Sequence, residues 1–387
     1  MSSIPHVVLL KSQLFRLGGA EKYAYRIAQA FRSKNCRVTI LTDGPIKQPS
    51  CDPLLQIISN DKLPLMSFLR VEAYDAFCRK NLQEINGDLI FGLDRNRFQT
   101  HIRASNGVHA AYLEHRKHTD HFLKRSSYRF NPLHRTLLQI EKESFNHSDL
   151  KVLFTNSFMV RDEILKYYST DPQKIQVLHN GVEWHEMQTD FTEWPEMKPD
   201  LSRRFQVDPE TFHFVFIGHN YARKGLEKLL KGLSILKNRE FHLSVIGKEK
   251  NPSRFIALAK KLNLDKHVTF FGMRSDIRSF YQLADALVIP SFYDPFANVT
   301  VEALGMGVFV VSSKTNGGHE ILNSLNGSII ESLNDAESIA KALEIAMEHR
   351  KTFENSKKIR ESVRYLDFSN QLELLTDISL EKNSIRC

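Results

Sequence analysis

From residue 212 onward, short β-branched or aromatic runs alternate with stretches of three- and four-residue apolar spacing, and this rhythm constrains the fold more than any other feature of the chain. Runs at 212–217, 242–246, 268–271, 287–290 and 308–312 read as strands. Leu226, Leu229, Leu230, Leu233 and Leu236 fall on one face of a helix, and further helices are expected at 254–264, at 277–286, through Glu302 and at 336–347. Such alternation marks βαβ units and a parallel sheet. The first half keeps the rhythm less regularly, with strands at 7–10, 37–41, 89–91, 151–154 and 176–178 and a helix at 21–31. A chain of 387 residues, 42% hydrophobic and 25% charged, fills two cores of ordinary size rather than one.

The expectation is therefore an α/β protein of two doubly wound domains. Residues 1–183 form the N-terminal domain and 205–350 the C-terminal one. Between them, 184–204 holds Pro195, Pro199, several acids and no periodicity, so it reads as a linker. Residues 351–387 read as a helical segment placed to cross back to the N-terminal domain. Two such domains imply a cleft where the carboxyl ends of both sheets face each other, the place where open α/β folds bind ligands.

The apolar run at the N-terminus, Val7 to Leu10, ends at Lys11 and is far shorter than a signal-peptide core. The four cysteines, Cys36, Cys51, Cys78 and Cys387, show no metal-ligand spacing and no disulfide framework, which fits a reducing cytoplasm. The net charge of +8 is unevenly spread: residues 1–180 hold 26 Lys and Arg against 17 Asp and Glu, so the excess lies in the first half. A basic half suggests one face that meets polyanions. The segment 109–135, rich in His, Lys and Arg, reads as a long surface loop or irregular helices near that face.

Four stretches carry chemistry. In SFYDPFANVTVEALGMGVFVVSS (291–313) a strand ends at Pro290, Asp294 lies in a loop, and a helix runs on through Glu302. Two carboxylates eight positions apart bracket a helix N-terminus whose amides, around Phe296, Ala297, Asn298 and Val299, can hold a phosphate or a sugar hydroxyl. An isolated pair at this spacing is more often a cap and a solvated side chain. The neighbouring stretches change that weighting. In FIGHNYARKG (216–225) a strand gives way to the leucine-faced helix, and the adjacent cations Arg223 and Lys224 are placed to neutralise a pyrophosphate. In LGGAE (17–21), Gly18 and Gly19 permit close backbone approach to a ligand, while the absence of GxGxxG disfavours a dinucleotide site. In SNGVHAAYL (105–113), the imidazole of His109 can donate to a sugar hydroxyl or move a proton near neutral pH. His101, Arg103 and the 115–125 cluster, Arg116 included, are candidates for positioning a phosphorylated acceptor.

Taken together, these stretches resemble the family-four retaining glycosyltransferases of the GT-B fold, most of all those that build the core of bacterial lipopolysaccharide. The stretch 291–313 resembles the family's Glu-x7-Glu element, with Asp294 in place of the first Glu and one methylene shorter. Lys224 matches the family's diphosphate-binding Lys. His219 stands where the family often has Arg, which makes Arg223 the candidate second cation. GGAE resembles the family's glycine loop, and 105–113 the segment with its sugar-contacting His.

The resemblance implies two Rossmann-like domains facing each other across a cleft. It implies transfer of a hexose from a nucleoside diphosphate sugar, UDP-glucose or a relative, to a hydroxyl of a lipopolysaccharide core or similar glycan or glycolipid, with retention. His109, Asp294, Arg223 and Lys224 would be catalytic; Gly18, Gly19, Arg223, Lys224, Asp294, Phe296, Ala297, Asn298, Val299 and Glu302 would bind the donor, and Arg103 and Arg116 the acceptor. The chain has no DxD-type acidic cluster in a plausible place, so neither a metal nor a cofactor is expected. Expected partners are the sugar nucleotide, the acceptor and an anionic membrane surface, with no nucleic acid, at the inner face of the cytoplasmic membrane. A nucleotide-sugar epimerase on the same fold and a catalytically lapsed anion-binding protein remain as alternatives.

Overall fold

The computed structural model describes residues 4–14, 19–44, 52–61, 64, 66–117, 125 and 127–383, with side chains from Tyr23 onward in the first helix. Among these the chain forms two units, residues up to 179 together with 369 onward, and residues 180–368.

The first unit runs β1 (His6–Leu10), α1 (Gly19–Ser33), β2 (Arg37–Asp43), β3 (Leu55–Asn60), α2 (Ser67–Glu84), β4 (Leu89–Gly92), β5 (His101–Arg103), α3 (His109–Lys117), α4 (Pro132–Phe145), β6 (Val152–Thr155), α5 (Phe158–Tyr167) and β7 (Ile175–Val177). Its seven strands are all parallel, in the order β3-β2-β1-β4-β5-β6-β7. Every residue of β1 is buried, as a strand covered on both faces requires. From α1, Ala24, Ile27, Ala28 and Phe31 pack on one side of the sheet with Val7 and Leu9. Val8 and Leu10 point to the other side, onto Tyr74 and Cys78.

The second unit runs α6 (Gln188–Phe205), β8 (Phe212–Ile217), α7 (Leu226–Ser234), β9 (Phe241–Ile246), α8 (Pro252–Lys261), β10 (Val268–Gly272), α9 (Ile277–Leu283), β11 (Ala286–Ile289), α10 (Asn298–Gly305), β12 (Phe309–Ser313), β13 (Gly327–Ile330), α11 (Ala336–Met347) and α12 (Phe353–Glu361). Its six strands are again all parallel, in the order β10-β9-β8-β11-β12-β13. Each sheet reverses its winding once, between β1 and β4 in the first and between β8 and β11 in the second. These are two Rossmann-like α/β units.

The boundaries differ from the sequence reading. The expected linker 184–204 is mostly α6, and Trp184, Met187, Phe191, Trp194, Leu201 and Phe205 belong to the second core. Pro195 and Pro199 sit on the exposed side of this helix, where water can take the carbonyls left without a donor. An internal proline costs about 3 kcal/mol, which the burial of two Trp and two Phe side chains exceeds. The C-terminal segment also divides elsewhere than at 351. α12, Val363 and Leu366 stay with the second unit, and only from 369, within α13 (Phe368–Lys382), does the chain rejoin the first, where Leu375 and Leu380 enter the core. In the expected irregular stretch 109–135, α3 and the start of α4 are regular helix, while 118–124 and 126 lie outside the described residues.

Candidate active site

The switch point of the second sheet gathers the charged residues. After β8, Gly218 leaves room that a side chain would fill: a Cβ there would lie 2.9 Å from Lys224 Cγ, so the lysine stem lies along bare backbone. Lys224 is buried, and its ammonium donates to Asp294 Oδ2. Arg223 Nη1 donates to the Tyr293 carbonyl at 3.0 Å and lies 3.4 Å from the same carboxylate oxygen. Two cations thus converge on one buried acid, a set with net charge +1. Gly225 then turns the chain into α7 at φ +80°, a left-handed conformation that favours glycine.

Asp294 is held from its backbone. Its amide donates to Thr315 O and its carbonyl accepts from Gly317 N, both at 2.9 Å, in a short parallel bridge with Asn316. Asn316 is fully buried and uses its whole amide: Oδ1 accepts from Ala297 N at 3.0 Å and Gly318 N at 3.3 Å, while Nδ2 donates to Ser312 Oγ at 2.9 Å and Thr300 Oγ1 at 3.4 Å. One side chain therefore ties the Asp294 loop to the start of α10. That helix begins without a side-chain cap, at Ala297, so its first amides, on Asn298 and Val299, point outward without an intrahelical acceptor. Asn180, read from sequence as a turn residue, donates from Nδ2 to the Phe296 carbonyl at 3.3 Å and to Asn298 Oδ1 at 2.7 Å.

Glu302 follows Asn298 by four residues and so lies on the same face of α10, one turn further along. It is half-buried, and Oε2 accepts from the hydroxyl of the fully buried Tyr281 at 2.9 Å. Burial raises its pKa, the Tyr281 hydrogen bond and Arg278 lower it, and Glu183 raises it. His219 Nδ1 accepts from Lys248 N at 2.9 Å, so this exposed ring is engaged through that nitrogen.

Arg223, Lys224, Asp294, Phe296, Ala297, Asn298, Val299 and Glu302 are thus brought together in the second unit. The remaining candidates belong to the first. His109 is buried at the start of α3; its amide donates to both oxygens of Glu141, at 2.8 and 2.9 Å, and Nε2 shares a 3.0 Å hydrogen bond with His134 Nδ1. Burial, then the charge of Arg95, His134 and Arg116, pushes its pKa down to about 3, so the imidazole is neutral at physiological pH. Arg116 lies over the rings of Tyr112 and Tyr128, at 5.5 and 5.3 Å. Arg103, buried at the end of β5, faces the Tyr23 ring at 5.9 Å. Gly19 opens α1, and Gly18 lies outside the described residues. Sequence reasoning missed Asn316, Tyr281, Glu141 and His134. Only Asn316 had a local signal, an Asn directly before two glycines.

Residues 17–185 match the family model Glycosyltransferase Family 4, and residues 197–364 match Glycosyl transferases group 1. The lipopolysaccharide glucosyltransferase WaaG of Escherichia coli K12 is 23% identical over 341 residues, covering 86% of this chain and 87% of that protein. A crystal structure of WaaG matches with a TM-score of 0.75 at 22% identity, covering 96% of this chain and 99% of that one. HepE of Anabaena, solved in complex with UDP-glucose, matches with a TM-score of 0.67 at 15% identity, covering 96% and 98%. The structural likenesses bear on fold, and the two family models cover both halves of the chain: it is a GT-B glycosyltransferase of family four, similar to those of lipopolysaccharide core synthesis.

Proposed function

We propose that the chain transfers a hexose, with retention and without metal or cofactor, from a nucleoside diphosphate sugar to a hydroxyl of a lipopolysaccharide core or similar glycan or glycolipid. UDP-glucose or a relative is the donor this reading favours, in keeping with the UDP-glucose complex of HepE and the glucosyltransferase WaaG. The observation that carries it is the convergence of Lys224 and Arg223 on Asp294 beside the uncapped start of α10. The partial positive charge of a helix N-terminus adds to the two cations. A bound diphosphate gives Lys224 a second anionic partner and leaves Asp294 free to accept from donor-sugar hydroxyls.

In the transfer the bond from the anomeric carbon to the diphosphate oxygen breaks, and a bond to the acceptor oxygen forms on the same face. The departing phosphate oxygen takes the acceptor's proton, so no separate protein base is required. The protein contributes positioning and stabilisation of the charge that develops on the leaving group. Glu302 accepts from the ribose diol, and neutral His109 donates to a sugar hydroxyl. Gly18 and Gly19 approach the donor, and Arg103 and Arg116 serve the acceptor. The basic first half supports contact with an anionic lipid surface at the inner face of the cytoplasmic membrane rather than with nucleic acid.

The test is nucleoside diphosphate release from a panel of sugar nucleotides with core oligosaccharide as acceptor, and NMR of the product's anomeric centre. Acceptor-dependent release, an unchanged anomeric configuration and full activity in EDTA are expected. Release that never responds to acceptor, an inverted product, or loss of activity to chelation overturns the corresponding part of the reading.

A further inference from the structure

We infer that Tyr281 is a positioning residue that sets the enzyme's preference for a ribonucleotide over a 2′-deoxyribonucleotide, by holding Glu302 with one carboxylate oxygen engaged and the other presented to the ribose. The inference rests on the proposed role of Glu302 as the ribose acceptor.

Tyr281 lies on α9, 21 residues before Glu302, and is fully buried, so its hydroxyl has no bulk water to bond. It donates to Glu302 Oε2 at 2.9 Å. Its backbone is fixed as well, since the buried Lys351 Nζ donates to the Tyr281 carbonyl at 2.8 Å. A glutamate side chain on a helix surface normally samples several rotamers. Here one oxygen is pinned from below, and Oε1 takes no hydrogen bond among the described residues. An ionised carboxylate oxygen in that state can accept from the vicinal hydroxyls of a ribose. Glu302 sits one helical turn, about 6 Å, beyond the Asn298 amide, which spaces a ribose away from a diphosphate held at the helix start.

Three groups set the charge on Glu302 from the elements around it: the Tyr281 hydroxyl and Arg278 on α9 favour the ionised form, and Glu183, ahead of α6, opposes it. Loss of the tyrosine hydroxyl therefore releases the rotamer and favours the protonated acid, and both changes weaken acceptance from the 2′-hydroxyl. A hydrogen bond to a charged group is worth a factor of about 10 to 100 in affinity.

Calorimetric titration of the full chain with UDP and with 2′-deoxy-UDP tests this. The wild type is expected to prefer UDP by about tenfold or more. Tyr281→Phe should bring the ratio to within about threefold, near that of Glu302→Gln, and should raise the pH below which the preference disappears. A merely structural role would weaken both ligands equally and leave the ratio intact, which overturns the inference. A wild type that binds the two alike, or neither, instead overturns the role of Glu302, and the inference with it. Should Tyr281→Phe not fold, the shielded Tyr281 hydroxyl proton can be followed by NMR in the wild type. It should shift more with UDP than with 2′-deoxy-UDP, and equal shifts overturn the inference.

Discussion

Lys224 and Asp294 are 70 positions apart, and each forms part of a local pattern that can be read alone: a Lys-Gly at a strand-to-helix turn and an acid before a helix start. Lys224→Ala should lower turnover about 100-fold or more and also cost about 3 kcal/mol of stability, because it strips the buried Asp294 of its closer cation, as checked by product release and calorimetry. Glu302 carries the opposite balance of function and stability. Its folded pKa lies above the ordinary value, so its contribution to stability is full at acidic pH and is lost as pH rises through the raised value. At neutral pH the native state bears a half-buried charge. Glu302→Gln should therefore melt a few degrees higher at pH 7.5 and bind nucleotide less tightly; a lower melting point would contradict the burial argument. Tyr281 and Asn316 escape sequence reading because neither announces its partner. A tyrosine in a helix is first of all a core residue, and its acid lies across a strand and a loop.

The elements that build the site are short and locally specified. The glycine turn before α7 needs a left-handed residue, and a Cβ on Gly225 would overlap the Pro290 carbonyl at the end of β11. Gly225→Ala should cost about 3 kcal/mol or more and displace Lys224 with the turn, seen as a lower melting temperature together with lost nucleotide binding. At the far end of α10, the Arg360 guanidinium, on α12, donates to the carbonyls of Gly305 and of Trp184, the latter at 2.7 Å, and to Gln188 Oε1 at 3.1 Å, between the rings of Trp184 and Phe191. This single side chain joins α12 to α10 and to the chain leading into α6. It also explains why 184–204 is no linker. Two prolines hide a stripe of aromatic residues whose value depends on a core that forms from distant strands and helices. In β5 and β13 the strands are only three and four residues long, too short for alternation to be visible.

At the scale of the molecule, net charge separates by unit. The first unit holds 28 Lys and Arg against 20 Asp and Glu, and the second 25 of each, so the whole excess belongs to one unit. Co-sedimentation with vesicles should therefore require anionic lipid and fall steeply between low and physiological salt; equal binding to neutral vesicles would sink the proposed membrane contact. Both units bury neutral imidazoles. Burial pushes His101 and His109 of the first unit down to about 3, and His213 and His242 of the second to about 3 and about 4. Folded values below the ordinary one mean stability that is present above about pH 6.5 and is lost as pH falls toward those values. The melting temperatures of both units should drop continuously between pH 6.5 and 4, and a flat profile would contradict the burial of these rings. The sequence by itself determined the βαβ rhythm, the two cores, and the cations, acids and glycines of the site, because strand burial, helix periodicity and turn chemistry act over a few neighbouring residues. Only the tertiary structure decided where the units divide, that α6 belongs to a core, and which buried side chains hold Asp294 and Glu302. Those outcomes depend on groups many residues apart meeting in a space that no local pattern encodes.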